Sequence, residues 1–220
     1  MITPAIDGLK IGSTETLTAV VLSGDGTQRT VVASWSSDAP EVVAIGRDGR
    51  VRGASLGKTT IRAKFETLAQ DRAIRVVPDY EGTWSGGYRI ANCTWMSGPG
   101  PSYCKGLAGA VFPLKAVVTQ SGDRLSGTLE FYTNTHDPFE AGPVEGAIDD
   151  SGALVLSGTI SSVMSEQPGE TRLSDWNTTL IGDADQMAGR FVRYPHFRNF
   201  WGWQESREDC EIVKVTRSRP

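Results

Sequence analysis

Two histidines, His136 and His196, are the side chains of this sequence best suited to proton transfer near neutral pH. His136 precedes Asp137 in the polar stretch TNTHDPFEAG, and a neighbouring carboxylate can orient a histidine as a general base. In a polar connection, however, such a pair is far more often part of a turn. The sequence also contains no Gly-x-Ser-x-Gly, His-Glu-x-x-His or P-loop motif. We therefore expect a protein that is not an enzyme, with a hydrolase as the remote alternative.

The acidic residues give no clearer sign of catalysis or metal binding. Glu145, Glu166 and Glu170 have no spacing that indicates a pair of carboxylates such as glycoside hydrolysis requires. Asp149–Asp150 and Asp183–Asp185 lie in tight turns, where Asp is favoured because its side chain bonds the nearby backbone. Neither turn follows the spacing of a calcium-binding loop. We expect no metal and no cofactor.

The composition indicates an all-β protein and excludes some classes of partner. Its 220 residues include 25 Gly and 11 Pro, and Val, Thr and Ser are frequent, which is typical of many short strands joined by turns. The formal net charge is −4 and there is no basic block, so we expect no nucleic-acid partner. No apolar run is long enough to span a membrane. The opening MITPAIDGLK is not a signal peptide, so an exported protein would have lost its leader.

Residues 1–78 show short alternating strands separated by turn signals, which predicts a β-sandwich domain. The most informative segment is SWSSDAPEVVAIGRDGRVRGASLGKTTIRAKF, residues 34–65, with a Trp in a short strand, two turns and a long strand after Leu56-Gly57. This order resembles the bacterial immunoglobulin-like group 2 (BIG2) domain. The resemblance implies an Ig-like sandwich with Trp35 in its core, in a module of secreted and surface proteins.

Residues 79–220 carry a second pattern, in which four segments share an apolar-x-Gly-x-apolar core next to turn signals. Central glycines relieve crowding where antiparallel strands coil strongly. We count about eight strands, which predicts an antiparallel up-and-down β-barrel. The predicted strands start near Gly82, Val111, Arg124, Pro143, Ala153, Arg172, Gln186 and Glu208.

The first barrel strand, Gly82-Thr83-Trp84, resembles the opening of lipocalin-like and avidin-like barrels, where the Trp closes one end. In lipocalins a basic residue of the last strand lies across that Trp, and Arg217 is the candidate here. This resemblance implies an analogous barrel rather than membership of either family. Alternation places large side chains in the lumen, which favours a filled core over a ligand pocket; these are Leu125, Leu129, Phe131, Leu154, Leu156, Met187 and Phe191.

The segment YPHFRNFWGW, residues 194–203, has the most unusual local composition of the chain. It should connect the last two strands, and aromatic rings on an exposed loop can bind sugars or apolar partners. The alternative is that the rings fold over the barrel end as a lid or dock onto the first domain. The candidate ligand-binding residues are Tyr194, His196, Phe197, Phe200, Trp201 and Trp203.

The three cysteines fit the oxidising compartment that the BIG2 resemblance implies. Cys93 and Cys104 flank the Gly- and Pro-rich loop TWMSGPGPSY, which cannot pack well alone, so we expect a disulfide between them. Cys210 would then be unpaired and buried.

Together these patterns predict a non-enzymatic protein that is secreted, periplasmic or displayed on the cell surface. An Ig-like spacer would present a barrel whose partner is a surface glycan or protein. The alternative is a lipocalin-like carrier that holds a small apolar ligand in the barrel lumen.

Overall fold

The computed structural model describes residues 1–133, 137–164, 167–182 and 185–218. Within these ranges all regular secondary structure is β, as the composition predicted. The chain divides into two compact units. The first comprises Met1–Asp79 with Ser121–Asp123, and the second comprises Tyr80–Gln120 with the described residues from Arg124 onward. The predicted domains, 1–78 and 79–220, stay a prediction.

The first unit is built from three small sheets, with strand orders β1-β4-β5, β2-β10-β9-β6 and β3-β8-β7. The pairing of β2 with β10 is parallel. The strands are β1 (Ile2–Thr3), β2 (Gly8–Lys10), β3 (Thr14–Thr16), β4 (Thr18–Leu22), β5 (Gln28–Val31), β6 (Ser34–Ser37), β7 (Val43–Ile45), β8 (Arg50–Gly53), β9 (Gly57–Phe65) and β10 (Leu68–Val77).

The core of this unit follows the alternation of the sequence. Along β9, Ile61 and Ala63 are buried while their neighbours face solvent. Trp35 is partly buried and packs against the same cluster of apolar side chains. At the Asp48-Gly49 turn, Gly49 has a φ of +79° and a Cβ there would lie 3.3 Å from the Trp35 ring. The turn therefore needs glycine both for its backbone conformation and for contact with the core tryptophan.

The second unit is a closed barrel of eight antiparallel strands in sequence order, which confirms the predicted fold class. Three predicted starts were late, at Pro143, Arg172 and Glu208, because the ladders continue further than the turn signals suggested. The strands are β11 (Gly82–Ser97), β12 (Val111–Ser121), β13 (Arg124–Tyr132), β14 (Pro138–Ile148), β15 (Leu154–Ser162), β16 (Gly169–Ile181), β17 (Gln186–Asn199) and β18 (Gly202–Ser218).

Glycines allow the barrel strands to approach one another closely. A Cβ at Gly127 would lie 2.1 Å from the carbonyl oxygen of Val117 on the neighbouring strand. A Cβ at Gly146 would lie equally close, 2.1 Å, to the carbonyl oxygen of Val155. Neither position can take a side chain without moving backbone, which is consistent with the role expected of the repeated central glycine.

Packed aromatic rings fill the middle of the lumen. Phe191 stacks on Trp176 at a centroid distance of 4.4 Å and on Phe131 at 5.9 Å. Tyr88 meets Phe131 edge to face at 4.9 Å. At this level side chains occupy the space that an apolar ligand would need. The seven lumen positions expected from alternation are all buried, namely Leu125, Leu129, Phe131, Leu154, Leu156, Met187 and Phe191.

Candidate functional site at the loop end of the barrel

The two ends of the barrel differ in the segments that they carry. One end carries the tight turns after β12 and β14 and the start of β11; we call it the closed end. The other carries the long connection from β11 to β12 and the short hairpin between β17 and β18; we call it the loop end.

Aromatic side chains with neutral hydrogen bonds fill the closed end. Tyr80 and Trp84 are both fully buried. The indole of Trp84 donates to the carbonyl of Tyr80 at 2.8 Å, and the phenol of Tyr80 donates to the carbonyls of Gly152 at 2.8 Å and Thr178 at 3.1 Å. The Arg217 guanidinium lies over the Trp84 ring, 4.7 Å from its centroid. The role of this pair in closing the barrel stays a prediction.

The loop end instead buries an arginine between two carboxylates. Arg193 on β17 is 1 % exposed and points into the lumen. Its guanidinium donates to the Tyr88 phenol at 2.6 Å, to Glu208 at 3.0 Å and to Glu140. The other oxygen of Glu140 accepts a hydrogen bond from Thr171 at 2.6 Å. We call Arg193, Glu140, Glu208 and Tyr88 the arginine cluster.

Burial and neighbouring charges together shift the pKa values of the ionisable groups in this cluster. Burial raises the pKa of Glu208, because loss of solvent outweighs the attraction of Arg193. It also raises the pKa of Tyr88 well above its ordinary value, so the phenol stays neutral. Burial alone would lower the pKa of Arg193, but the charges around it, Glu140 foremost, raise it. The guanidinium remains charged and engages both carboxylates, unlike an acid–base pair that faces an open cleft.

A disulfide holds the connection above this cluster. Cys93 and Cys104 are bonded, with Cα atoms 5.3 Å apart, which confirms the predicted bridge. Tyr103, next to Cys104, meets the Phe197 ring edge to face at 4.7 Å. The pKa of Tyr103 is raised, first by burial and then by the charge of Glu208, with Arg193 opposing. Tyr103 and Glu140 also line the same small cavity.

Cys210 is a free, buried thiol on the lumen face of β18. Burial raises its pKa, so the thiol is unreactive in the folded protein.

The predicted aromatic segment, residues 194–203, is a strand hairpin rather than a loop, because β17 runs to Asn199 and β18 begins at Gly202. Its alternation separates the candidate residues. His196 stacks on Trp203 across the hairpin at 4.7 Å, and Tyr194 lies 4.0 Å from the Arg172 guanidinium. Phe197 belongs instead with Tyr103 at the lumen entrance.

Phe200 and Trp201 form the tip of this hairpin. Phe200 is 93 % exposed, Trp201 is 57 % exposed and Trp203 is 47 % exposed. The tip packs on the disulfide connection, where a Cβ at Gly100 would lie 2.7 Å from the Trp201 ring. Gln204 also donates to the carbonyl of Pro99 at 2.7 Å. The connection thus supports the hairpin while the rings stay in solvent.

Sequence reasoning missed the arginine cluster. The signal was present, because Arg193 lies two residues after the lumen residue Phe191 and Glu208 lies two residues before Cys210. Glu140 was hidden because its strand begins at Pro138 rather than Pro143.

Within the described part of the chain, the residues considered for catalysis do not come together in one site. His136, Glu166 and Asp183 lie outside the described residues. Glu145 and Glu170 are exposed on the barrel surface. Asp149 accepts hydrogen bonds within its own turn, from the Ser151 amide at 2.9 Å and hydroxyl at 2.6 Å. In the ranges that the structure covers, no three or more His, Cys, Asp or Glu side chains are grouped to hold a metal ion.

Among known proteins, a family model matches only the first part of the chain. No curated protein matches the sequence. A solved structure titled "Structure of the S-layer protein SbsC, domains 5-6" aligns over 97% of this chain and 95% of that one, with 13% identity and a TM-score of 0.33, too low to support an argument. Among the described residues no helix is long and apolar enough to cross a membrane. Residues 1–71 match the family model of the bacterial Ig-like domain (group 2), as the segment around Trp35 predicted, and this match suggests a cell-surface or extracellular role.

Proposed function

We propose that this chain is a non-enzymatic protein of the cell surface or extracellular space, in which the Ig-like unit is a spacer and the barrel is a binding module. The observation that carries the proposal is the exposure of Phe200, Trp201 and Trp203 on the hairpin of β17 and β18. Large apolar rings held in solvent are typical of interaction sites, because burying them on a partner is favourable.

Three features of the hairpin support binding. His196 and Trp203 form a stacked pair on one face, which gives a flat platform of the kind that sugar rings and apolar side chains contact. Phe200 and Trp201 meet edge to face at 5.4 Å at the tip. The disulfide connection contacts the hairpin at the Trp201 ring and at Gln204, and such contacts should reduce the ordering entropy that binding costs. The partner is a surface glycan or protein.

The test is a titration of the purified protein with a panel of glycans and surface-protein extracts, followed by tryptophan fluorescence. We expect a binder at micromolar concentration whose signal is lost in the double variant Phe200→Ala/Trp201→Ala. The control is Val155→Ala, which removes an exposed apolar side chain elsewhere on the barrel. If no member of the panel binds, or if the double variant binds as well as the parent, the hairpin is not the binding site.

A further inference from the structure

The outer face of the barrel next to the hairpin has a row of polar side chains that crosses three strands. In the strand register Glu170 on β16 lies opposite His196 on β17, and His196 lies opposite Glu205 on β18. Glu170 and His196 are exposed and Glu205 is half-buried, whereas Gln204, the next residue of β18, is buried. Alternation therefore places this row outside the barrel. Since neighbouring strands lie roughly 5 Å apart, the two glutamates start roughly 10 Å apart with His196 between them.

Trp203 lies beside this row on β18. It is paired with Arg198 across the hairpin, and its ring stacks on His196 with an interplanar angle of 21°. The stack covers part of the indole, yet 47 % of Trp203 remains exposed. An apolar ring surface and charged side chains thus lie next to one another. We call Trp203, His196, Glu170, Glu205 and Arg198 the outer platform.

The three charged groups of the outer platform are free to bind a ligand. Among the residues that the structure describes, no hydrogen bond or ion pair engages the carboxylates of Glu170 and Glu205 or the guanidinium of Arg198. Their partner at present is solvent, so a ligand can reach them without breaking a contact within the protein.

The next row along the same strands is different, because its charged groups are already engaged. The Arg172 guanidinium lies over the Tyr194 ring, 4.0 Å from its centroid. Arg207 donates to Asp209 at 2.9 Å. Tyr194 is therefore covered, and the side chains that can contact a ligand on this face are those of the outer platform.

The charges of both signs around the indole favour a neutral ligand. An anion would meet the carboxylates of Glu170 and Glu205, and a cation would meet the guanidinium of Arg198 next to Trp203. A hydroxyl group both donates and accepts, so it can donate to a carboxylate and accept from a guanidinium. Hydrogen bonds to charged groups are also stronger than those between neutral groups. A sugar ring combines such hydroxyls with an apolar face that an indole can stack on.

The same composition distinguishes a sugar from a protein partner. The buried centre of a protein–protein interface is depleted in charged residues, because each charge must lose its water. Here Arg198 and Glu205 lie directly next to Trp203, and a protein surface that covered the indole would bury both. A sugar ring covers less area and leaves the far side of each charged group in water.

We propose that the outer platform binds a neutral pyranose glycan. Trp203 lies under the apolar face of one sugar ring, Glu205 accepts from its hydroxyls and Arg198 donates to them, and Glu170 accepts from a hydroxyl of the neighbouring ring. This inference rests on the proposed function, because the platform belongs to the same hairpin, and it narrows the partner to a glycan.

The experiment is isothermal titration calorimetry of the full chain with six hexasaccharides that differ in sugar or charge. The neutral ones are those of glucose, mannose, galactose and N-acetylglucosamine; glucosamine supplies the cation and galacturonate the anion. We expect at least one neutral hexasaccharide to bind below about 100 μM and at least about tenfold more tightly than either charged one. Absence of saturable binding by all four neutral hexasaccharides, or tighter binding of a charged one, would overturn the inference.

The outcome for the proposed function is read separately. If a surface protein binds and this binding is lost in Phe200→Ala/Trp201→Ala, while no neutral hexasaccharide binds, the sugar inference fails and the proposed function stands. If neither proteins nor saccharides bind, both fail.

Two variants test the named contacts, with folding checked by circular dichroism. Trp203→Ala removes the stacking surface and should weaken binding of the neutral hexasaccharide at least about tenfold. Glu205→Gln keeps the shape but removes the charge, so it should weaken neutral binding about threefold and strengthen binding of the galacturonate hexasaccharide. Glu145→Gln, which removes an exposed carboxylate elsewhere on the barrel, is the matched control and should change neither affinity. Unchanged affinities in both platform variants, or an equal loss in Glu145→Gln, would contradict the assignment.

Discussion

At the closed end of the barrel, Tyr80 and Trp84 donate hydrogen bonds to backbone carbonyls, whereas at the loop end Arg193 lies between the carboxylates of Glu140 and Glu208. Neutral donors matched to backbone acceptors let apolar rings be buried at little electrostatic cost. Three charges removed from water carry a desolvation penalty that their mutual attraction offsets only in part. The comparison indicates that the closed end contributes more to folding stability than the buried charges of the loop end do.

The largest expected effect is at the closed end. Trp84→Ala removes a fully buried indole and its hydrogen bond, and should lower the free energy of unfolding by about 4–5 kcal/mol. Urea denaturation monitored by circular dichroism measures the loss. Trp201→Ala, at the exposed tip, should change it by less than about 0.5 kcal/mol. Comparable losses in the two variants would mean that the closed end has no special role in stability.

The next effect tests the charges. Arg193→Met leaves two carboxylates buried without their cation and should cost about 3–4 kcal/mol of unfolding free energy. Adding Glu140→Leu and Glu208→Leu should restore the stability of the parent, because well-packed apolar side chains replace buried ions without loss. The same denaturation assay applies. A triple variant that is no more stable than Arg193→Met would show that the cluster is needed for folding. The loop end would then contribute to stability as the closed end does.

The disulfide should affect only the loop end. Cys93→Ala/Cys104→Ala opens a loop with a sequence separation of 11 and should cost about 2–3 kcal/mol on the chain-entropy estimate. Hydrogen exchange should accelerate in residues 97–110 and at the hairpin tip, while the amides around Tyr80 and Trp84 keep their protection. Faster exchange at both ends would indicate that the barrel opens as one unit.

The smallest effect is a pH dependence of stability. The pKa of Glu208 is raised in the folded state above its ordinary value of 4.5. Its proton is therefore bound more tightly when the chain is folded, so this contribution to stability is complete below pH 4.5 and is lost as pH rises through the raised pKa. Glu208→Gln should remove this dependence. Urea midpoints at pH 4, 6 and 8 compare the two proteins; parallel curves would contradict the burial of an ionisable group there.

The sequence predicted the architecture because alternation and glycine spacing are local signals. The register around Phe131 and Phe191 followed from period two alone, and the bridge between Cys93 and Cys104 followed from loop composition and the BIG2 resemblance. The arginine cluster depends on four strands, β11, β14, β17 and β18, that meet only when the barrel closes. Alternation can place Arg193 in the lumen, two residues after Phe191, but no local pattern shows that it faces Glu140, which lies 53 residues away. The six aromatic candidates were read as one group, although strand alternation divides Phe197 from Tyr194 and His196.

The length of β11 has one more consequence. Its pairing with β12 ends at Arg89, yet the strand continues to Ser97 beside β18 alone. The stretch from Asn92 to Ser97 would be a bare edge able to recruit a strand from another molecule, a common route to aggregation. Cys93 lies in this stretch, and its bond keeps the returning chain next to it. We therefore expect reduction of the bridge to uncover this edge and to promote self-association at high protein concentration.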